Sequence, residues 1–72
     1  MPAEKVWLPT ADGPREGRLS FIKRGHGTQW RRNFWNLQIA TETGRFVHYG
    51  NYLNRDEAGV YGTVAEAHEA WA

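Results

Sequence analysis

The side chains able to do acid-base or metal chemistry are few and scattered. Histidine occurs at His26, His48 and His68, with no pair at the four-residue spacing of helical metal ligands and no cysteine to complete a site. His68 falls on the inward stripe of the C-terminal segment, which predicts a partly buried, hydrogen-bonded residue. Glu66 and Glu69 are accounted for by a helix start and by solvent, not by a carboxylate pair. Asp12, Asp56 and Glu57 sit in loop-like stretches that nothing in the sequence brings together. Gly25-His26-Gly27 is too short to cradle a phosphate, and the residues after it read as a strand, not a helix. These patterns predict a protein that is not an enzyme and that carries no cofactor and no metal.

What the chain does supply is guanidinium, amide and aromatic groups at alternating positions. From Trp30 to Ala40 the odd residues Trp35, Leu37 and Ile39 are apolar, while the even residues Trp30, Arg32, Phe34, Asn36 and Gln38 mix rings, a cation and amides. Period-two alternation is the mark of a strand with one face on a core. Arginine forks and side-chain amides make paired hydrogen bonds to guanine and adenine edges, and rings among cations suit sugar, methyl or base contacts.

Net charge is +1, but it is divided unevenly. From Arg15 to His48 there are seven cations against two carboxylates, net +5, and the remainder carries −4. That split predicts an anion-seeking sheet backed by an acidic helix; ordinary solvated charge is the plain alternative. With 72 residues and no cysteine, one small domain without disulfides is expected. Four Trp, three Tyr and three Phe must then carry most of the burial. The longest uncharged run near the start, Val6 to Ala11, is short and broken by Pro9, so no signal peptide or membrane span is expected and a cytoplasmic setting follows.

Residues 1–14, with Pro2, Pro9, Gly13 and Pro14, read as an N-terminal arm, although Val6-Trp7-Leu8 has the makings of a short strand. Residues 15–72 read as a single small α+β domain. Gly17 to Lys23 is its first strand, and a three-residue loop at Gly25-His26-Gly27 would pair Phe21 with Arg31 and Leu19 with Asn33. Glu42-Thr43-Gly44 fits a hairpin loop with glycine at the left-handed position. It sets Thr41 opposite Arg45, Ile39 opposite Val47 and Leu37 opposite Tyr49. Gly50 to Gly62 allows either an edge strand at Tyr52-Leu53 or a helical turn. Thr63-Val64-Ala65-Glu66 is a helix-start signal, with Thr63 capping and Glu66 reaching back to the cap amide. Val64, Ala67, His68 and Trp71 then form a stripe expected to face the sheet.

The expected fold is therefore a three-stranded antiparallel β-meander packed on one C-terminal α-helix, with one or two further short strands able to close it toward a small barrel. Trp35 and Trp71 are expected in the core, each costing about 3–5 kcal/mol on truncation to alanine, and Trp30 at the surface. The outward face would gather Arg18, Ser20, Ile22, Arg24, Trp30, Arg32, Phe34, Asn36, Gln38, Phe46 and His48. In the barrel alternative, Trp30, Ile22, Phe34 and Phe46 instead form a second core beneath Val6-Trp7-Leu8 and residues 51–61.

The T-G-R turn at Thr43, Gly44 and Arg45, followed by the helix residues Thr63, Glu66, Ala67, Ala70 and Trp71, resembles the three-stranded-sheet DNA-binding domains: the arm-binding domains of integrases and the plant ethylene-response-factor domain. That resemblance implies a sheet lying in the major groove with the helix behind it, and contacts from Arg18, Arg24, Trp30, Arg32, Phe34 and Arg45; His48 joins them on the same face. A second pattern, Gly17-x-Leu19 with Trp30-Arg31-Arg32-x-Phe34-Trp35-x-Leu37 and Trp71, is similar to the first strands and last helix of pleckstrin-homology domains. It implies an anionic headgroup or a protein bound through the loop from Lys23 to Arg32, on a fold that needs more strands than this chain supplies. The leading expectation is a small DNA-binding module of phage or mobile-element type, acting on double-stranded DNA as monomer or homodimer, with no membrane contact. The alternative is a protein-binding adaptor or inhibitor that uses the same Trp/Arg patch as an interface.

Overall fold

The computed structural model describes residues 3–23 and 32–71. Four strands, β1 (Glu4–Leu8), β2 (Arg15–Ile22), β3 (Phe34–Ala40) and β4 (Phe46–Tyr52), precede a 3₁₀ turn at Arg55–Ala58 and the helix α1 (Val64–Trp71). The strands form one antiparallel sheet in the order β1-β2-β3-β4. It is an open α+β meander with four strands where three were expected, and it does not close into a barrel.

The additional strand comes from the stretch read as an arm. Val6 pairs with Gly17 and Lys5 with Arg18, so the Val6-Trp7-Leu8 run is part of the sheet. Gly17 makes this close pairing possible. A Cβ there would stand 3.0 Å from the Gln38 carbonyl oxygen, 3.2 Å from Leu37 Cδ1 and 3.3 Å from Val6 Cγ2, so the space is already taken by its neighbours.

The register of β2 on β3 differs from the expected one by four residues: Leu19 opposes Leu37 and Phe21 opposes Trp35. β2 ends at Ile22 and β3 begins at Phe34, farther apart than a three-residue loop allows. Because the offset is even, each side chain keeps its face. The Gly25-His26-Gly27 turn itself lies outside the described residues.

The β3–β4 hairpin follows the turn chemistry at its tip. Gly44 has φ +84°, the Thr41 amide donates to the Arg45 carbonyl at 2.6 Å, and Ile39 opposes Val47. Farther along, a bulge leaves Tyr49 as an extra residue, so Gly50 takes the place opposite Leu37 and Tyr52 comes opposite Trp35. Tyr49, expected on the apolar row, is exposed.

The core lies on one face of the sheet. Val6, Leu19, Leu37 and Ala58 are buried together, with Trp35, Ile39, Tyr52 and Val60 packed around them, and Phe21 and Trp35 tilted against each other at 5.0 Å between ring centroids. Ala58 comes from the 3₁₀ turn, so the stretch from Gly50 to Gly62 holds a helical turn that covers the apolar face. This runs against the barrel alternative, in which those residues cover the other face. The Glu57 carboxylate accepts from the Asn54 amide at 2.9 Å, and Arg55 pairs with Glu4 on β1, tying the turn to the first strand.

α1 does not lie across the sheet. It sits beside β1, with Ala67 fully buried, but Val64 is 46% and Trp71 60% exposed, and His68 is exposed too. The expected burial of Trp71 and His68 fails because the 3₁₀ turn already occupies the apolar face. Thr63 does cap the helix, its Oγ1 accepting from the Glu66 amide at 3.1 Å; Glu66 returns to the Thr63 hydroxyl at 3.0 Å rather than to its amide.

Candidate nucleic-acid interface

On the face opposite the core, pairing aligns side chains across all four strands. Lys5 opposes Arg18, Arg18 opposes Gln38 and Gln38 opposes His48, so one row crosses the sheet with a residue from each strand. A parallel row places Ser20 opposite Asn36 and Asn36 opposite Asn51. On the other side of the first row, Trp7 opposes Glu16 and Ala40 opposes Phe46.

These side chains hold one another in place. The Arg18 guanidinium lies over the Phe46 ring, with Cζ 3.7 Å from the centroid, and Lys5 Nζ stands 5.4 Å from the Trp7 ring. Asn36 Nδ2 donates to Asn51 Oδ1 at 2.9 Å, and His48 Nε2 lies 3.2 Å from the same oxygen. An amide oxygen has no proton to give, so in this contact Nε2 is the donor. Lys5, Arg18, His48 and Asn51 are exposed, and Gln38, Asn36, Ser20 and Phe46 are half-buried. The surface is thus polar and aromatic, with hydrogen-bonding groups presented outward on a rigid sheet.

Arg18 and His48 therefore stand in one row, as their parity implied. Arg32 is exposed just ahead of β3. Arg45 is exposed beside the hairpin loop and shares the parity of Val47, which assigns it to the core side rather than to this row. Phe34 is a correction: it opposes Ile22 and is only 5% exposed, so its ring is not at the surface as expected. Arg24 and Trp30 lie outside the described residues.

Three residues of the face went unread in the sequence. Lys5 and Trp7 arrive with β1, whose flanking prolines suggested an arm. Asn51 has the wrong parity for this face and reaches it only through the bulge; Gly50, a glycine inside a strand pattern, is the signal that could have found it. Among the described residues no group of three or more His, Asp or Glu side chains is placed to hold a metal ion, and no helix is long and apolar enough to cross a membrane. No protein family, curated protein or solved structure matches the chain.

Proposed function

We propose that the chain is a small DNA-binding module of phage or mobile-element type, cytoplasmic and without catalytic activity, which sets the polar face of its sheet into the major groove of duplex DNA. The observation that carries this reading is the row Lys5, Arg18, Gln38 and His48. Strands lie about 4.8 Å apart, so three of them span roughly 10 Å, within a major groove about 12 Å wide. β2, β3 and β4 then enter the groove with Arg18, Gln38 and His48 toward base edges. Lys5 and Trp7, one strand farther out, meet phosphate and sugar. Arg32, at the end of the sheet, adds a phosphate contact.

One observation favours a second reading. Among the side chains of this face the cations Lys5 and Arg18 stand against Glu16, a modest positive surplus for a polyanion. Trp7 and the Arg18–Phe46 pair are also residue types that anchor protein–protein interfaces, which suits an adaptor or inhibitor.

A fluorescence-anisotropy titration of a labelled duplex with the full chain separates the two. Binding through several cations should weaken steeply between about 50 and 200 mM salt, with a log–log slope near −0.9 per neutralised phosphate. No binding at the lower salt, or equal affinity at both, overturns the DNA reading in favour of the protein interface.

A further inference from the structure

The two outer edges of the sheet are finished differently. On β1, Glu4 and Lys5 are charged and Arg55 pairs with Glu4. Tyr61 covers Trp7, its amide donating to the Trp7 carbonyl at 2.9 Å and its carbonyl accepting from the Trp7 amide at 2.7 Å. Charge and a covering segment are guards against strand addition. β4 has neither. Phe46 to Tyr52 contains no lysine, arginine, aspartate or glutamate, and among the described residues no strand or bridge pairs with its outer side.

The hairpin tip determines which backbone groups that edge presents. The Thr41 amide donates to the Arg45 carbonyl, so Arg45 is a hydrogen-bonded position. Antiparallel ladders alternate, which turns Val47 toward β3 and Phe46 and His48 away from it, their amides and carbonyls on the open edge. The bulge at Tyr49 ends this regular run. Val47 is 44% exposed on the apolar side of the sheet, so neither the 3₁₀ turn nor α1 covers it.

We infer that β4 pairs antiparallel with β4 of a second copy, about a two-fold axis at Val47. In this register Phe46 of each copy opposes His48 of the other, so every free amide and carbonyl of the run finds a partner. Val47 meets Val47 on the apolar side, at a position where opposed side chains approach most closely. An uncharged strand meets itself without repulsion. Because β1 is guarded, the assembly closes at two copies instead of growing into a filament. Eight strands about 4.8 Å apart span roughly 34 Å, too wide for a major groove. Pairing and groove entry therefore compete for β4, and the seam is tested without DNA, so either reading can fail alone.

Sedimentation equilibrium of the full chain from about 10 µM to 1 mM should fit monomer and dimer, with a dissociation constant of about 0.1–1 mM for so short a seam. In a mixture of ¹³C-labelled and unlabelled chain, filtered NOEs should join the Val47 methyls of the two copies. Val47→Lys sets two ammonium groups face to face and should weaken the dimer about tenfold or more, and an equimolar mixture with Val47→Glu should restore it. Should either variant fail to fold, the filtered NOEs of the unaltered chain decide. A monomer at 1 mM, association beyond two copies, intermolecular NOEs that join other strands, or a Val47→Lys dimer of unchanged affinity overturns the inference.

Discussion

The guanidinium of Arg18 on β2 reaches past β3 to lie over the ring of Phe46 on β4, 3.7 Å from its centroid. Strand pairing sets up the diagonal, since Arg18 opposes Gln38 and Phe46 opposes Ala40 two residues on. The contact ties β2 to β4 across the strand between them.

Replacing Phe46 by leucine keeps an apolar contact but removes the ring quadrupole. The expected loss is about 0.5–1 kcal/mol, read as a lower urea midpoint. Under the proposed function, Arg18→Ala should also weaken duplex binding and reduce the salt slope by about one. An unchanged slope would remove Arg18 from the DNA contacts.

Burial orders two substitutions opposite to intuition based on size. Leu37 is fully buried at the centre of the core, and Leu37→Ala should cost about 2–5 kcal/mol, enough to unfold so small a domain. Trp71→Ala should cost about 0.5 kcal/mol, because the indole is mostly in water. Acrylamide should reach Trp71 readily, and Trp71→Phe should remove that quenchable part of the emission.

Gly17→Ala puts a methyl group where Val6, Leu37 and the Gln38 carbonyl already meet. The nearest of these is the backbone carbonyl of Gln38 on β3, so β2 and β3 must ease apart at this point. We expect a loss of about 1–3 kcal/mol, with a lower urea midpoint at an unchanged slope.

The Tyr52 phenol is held above its ordinary pKa of 10.0, first by desolvation where it packs beside the core and second by neighbouring Tyr49. An acid with a raised folded pKa favours its neutral form in the native state. The stability it contributes is complete below the unfolded pKa and is lost as pH rises through the folded value. Denaturant midpoints should therefore fall above about pH 10, and Tyr52→Phe should flatten part of that fall. An identical alkaline profile in the variant would show that Tyr52 is not responsible.

Much of the fold was legible because parity survives errors of register. Leu19, Leu37 and Ile39 share a face whether β2 pairs as expected or four residues along, since an even offset changes no face. The hairpin at Glu42-Thr43-Gly44 and the cap at Thr63 were legible for a similar reason: each rests on the chemistry of adjacent residues. Arg18, Gln38 and His48 could be assigned to one polar surface from alternation alone. Lys5, Trp7 and Asn51 could not, because the first two depend on a strand pairing between β1 and β2 and the third on a bulge.

The order of side chains along the chain was enough to determine two-sidedness: an apolar row, a polar row, and the local turn and cap that bound them. Which segment covers the apolar row was decided only in three dimensions. Residues 55–58 reach it first, joined to β1 through Arg55 and Glu4, and α1 is left at the margin with Trp71 in water. Helical periodicity tells which residues of a helix stand together, but it carries no information about whether another segment already fills the place they would occupy.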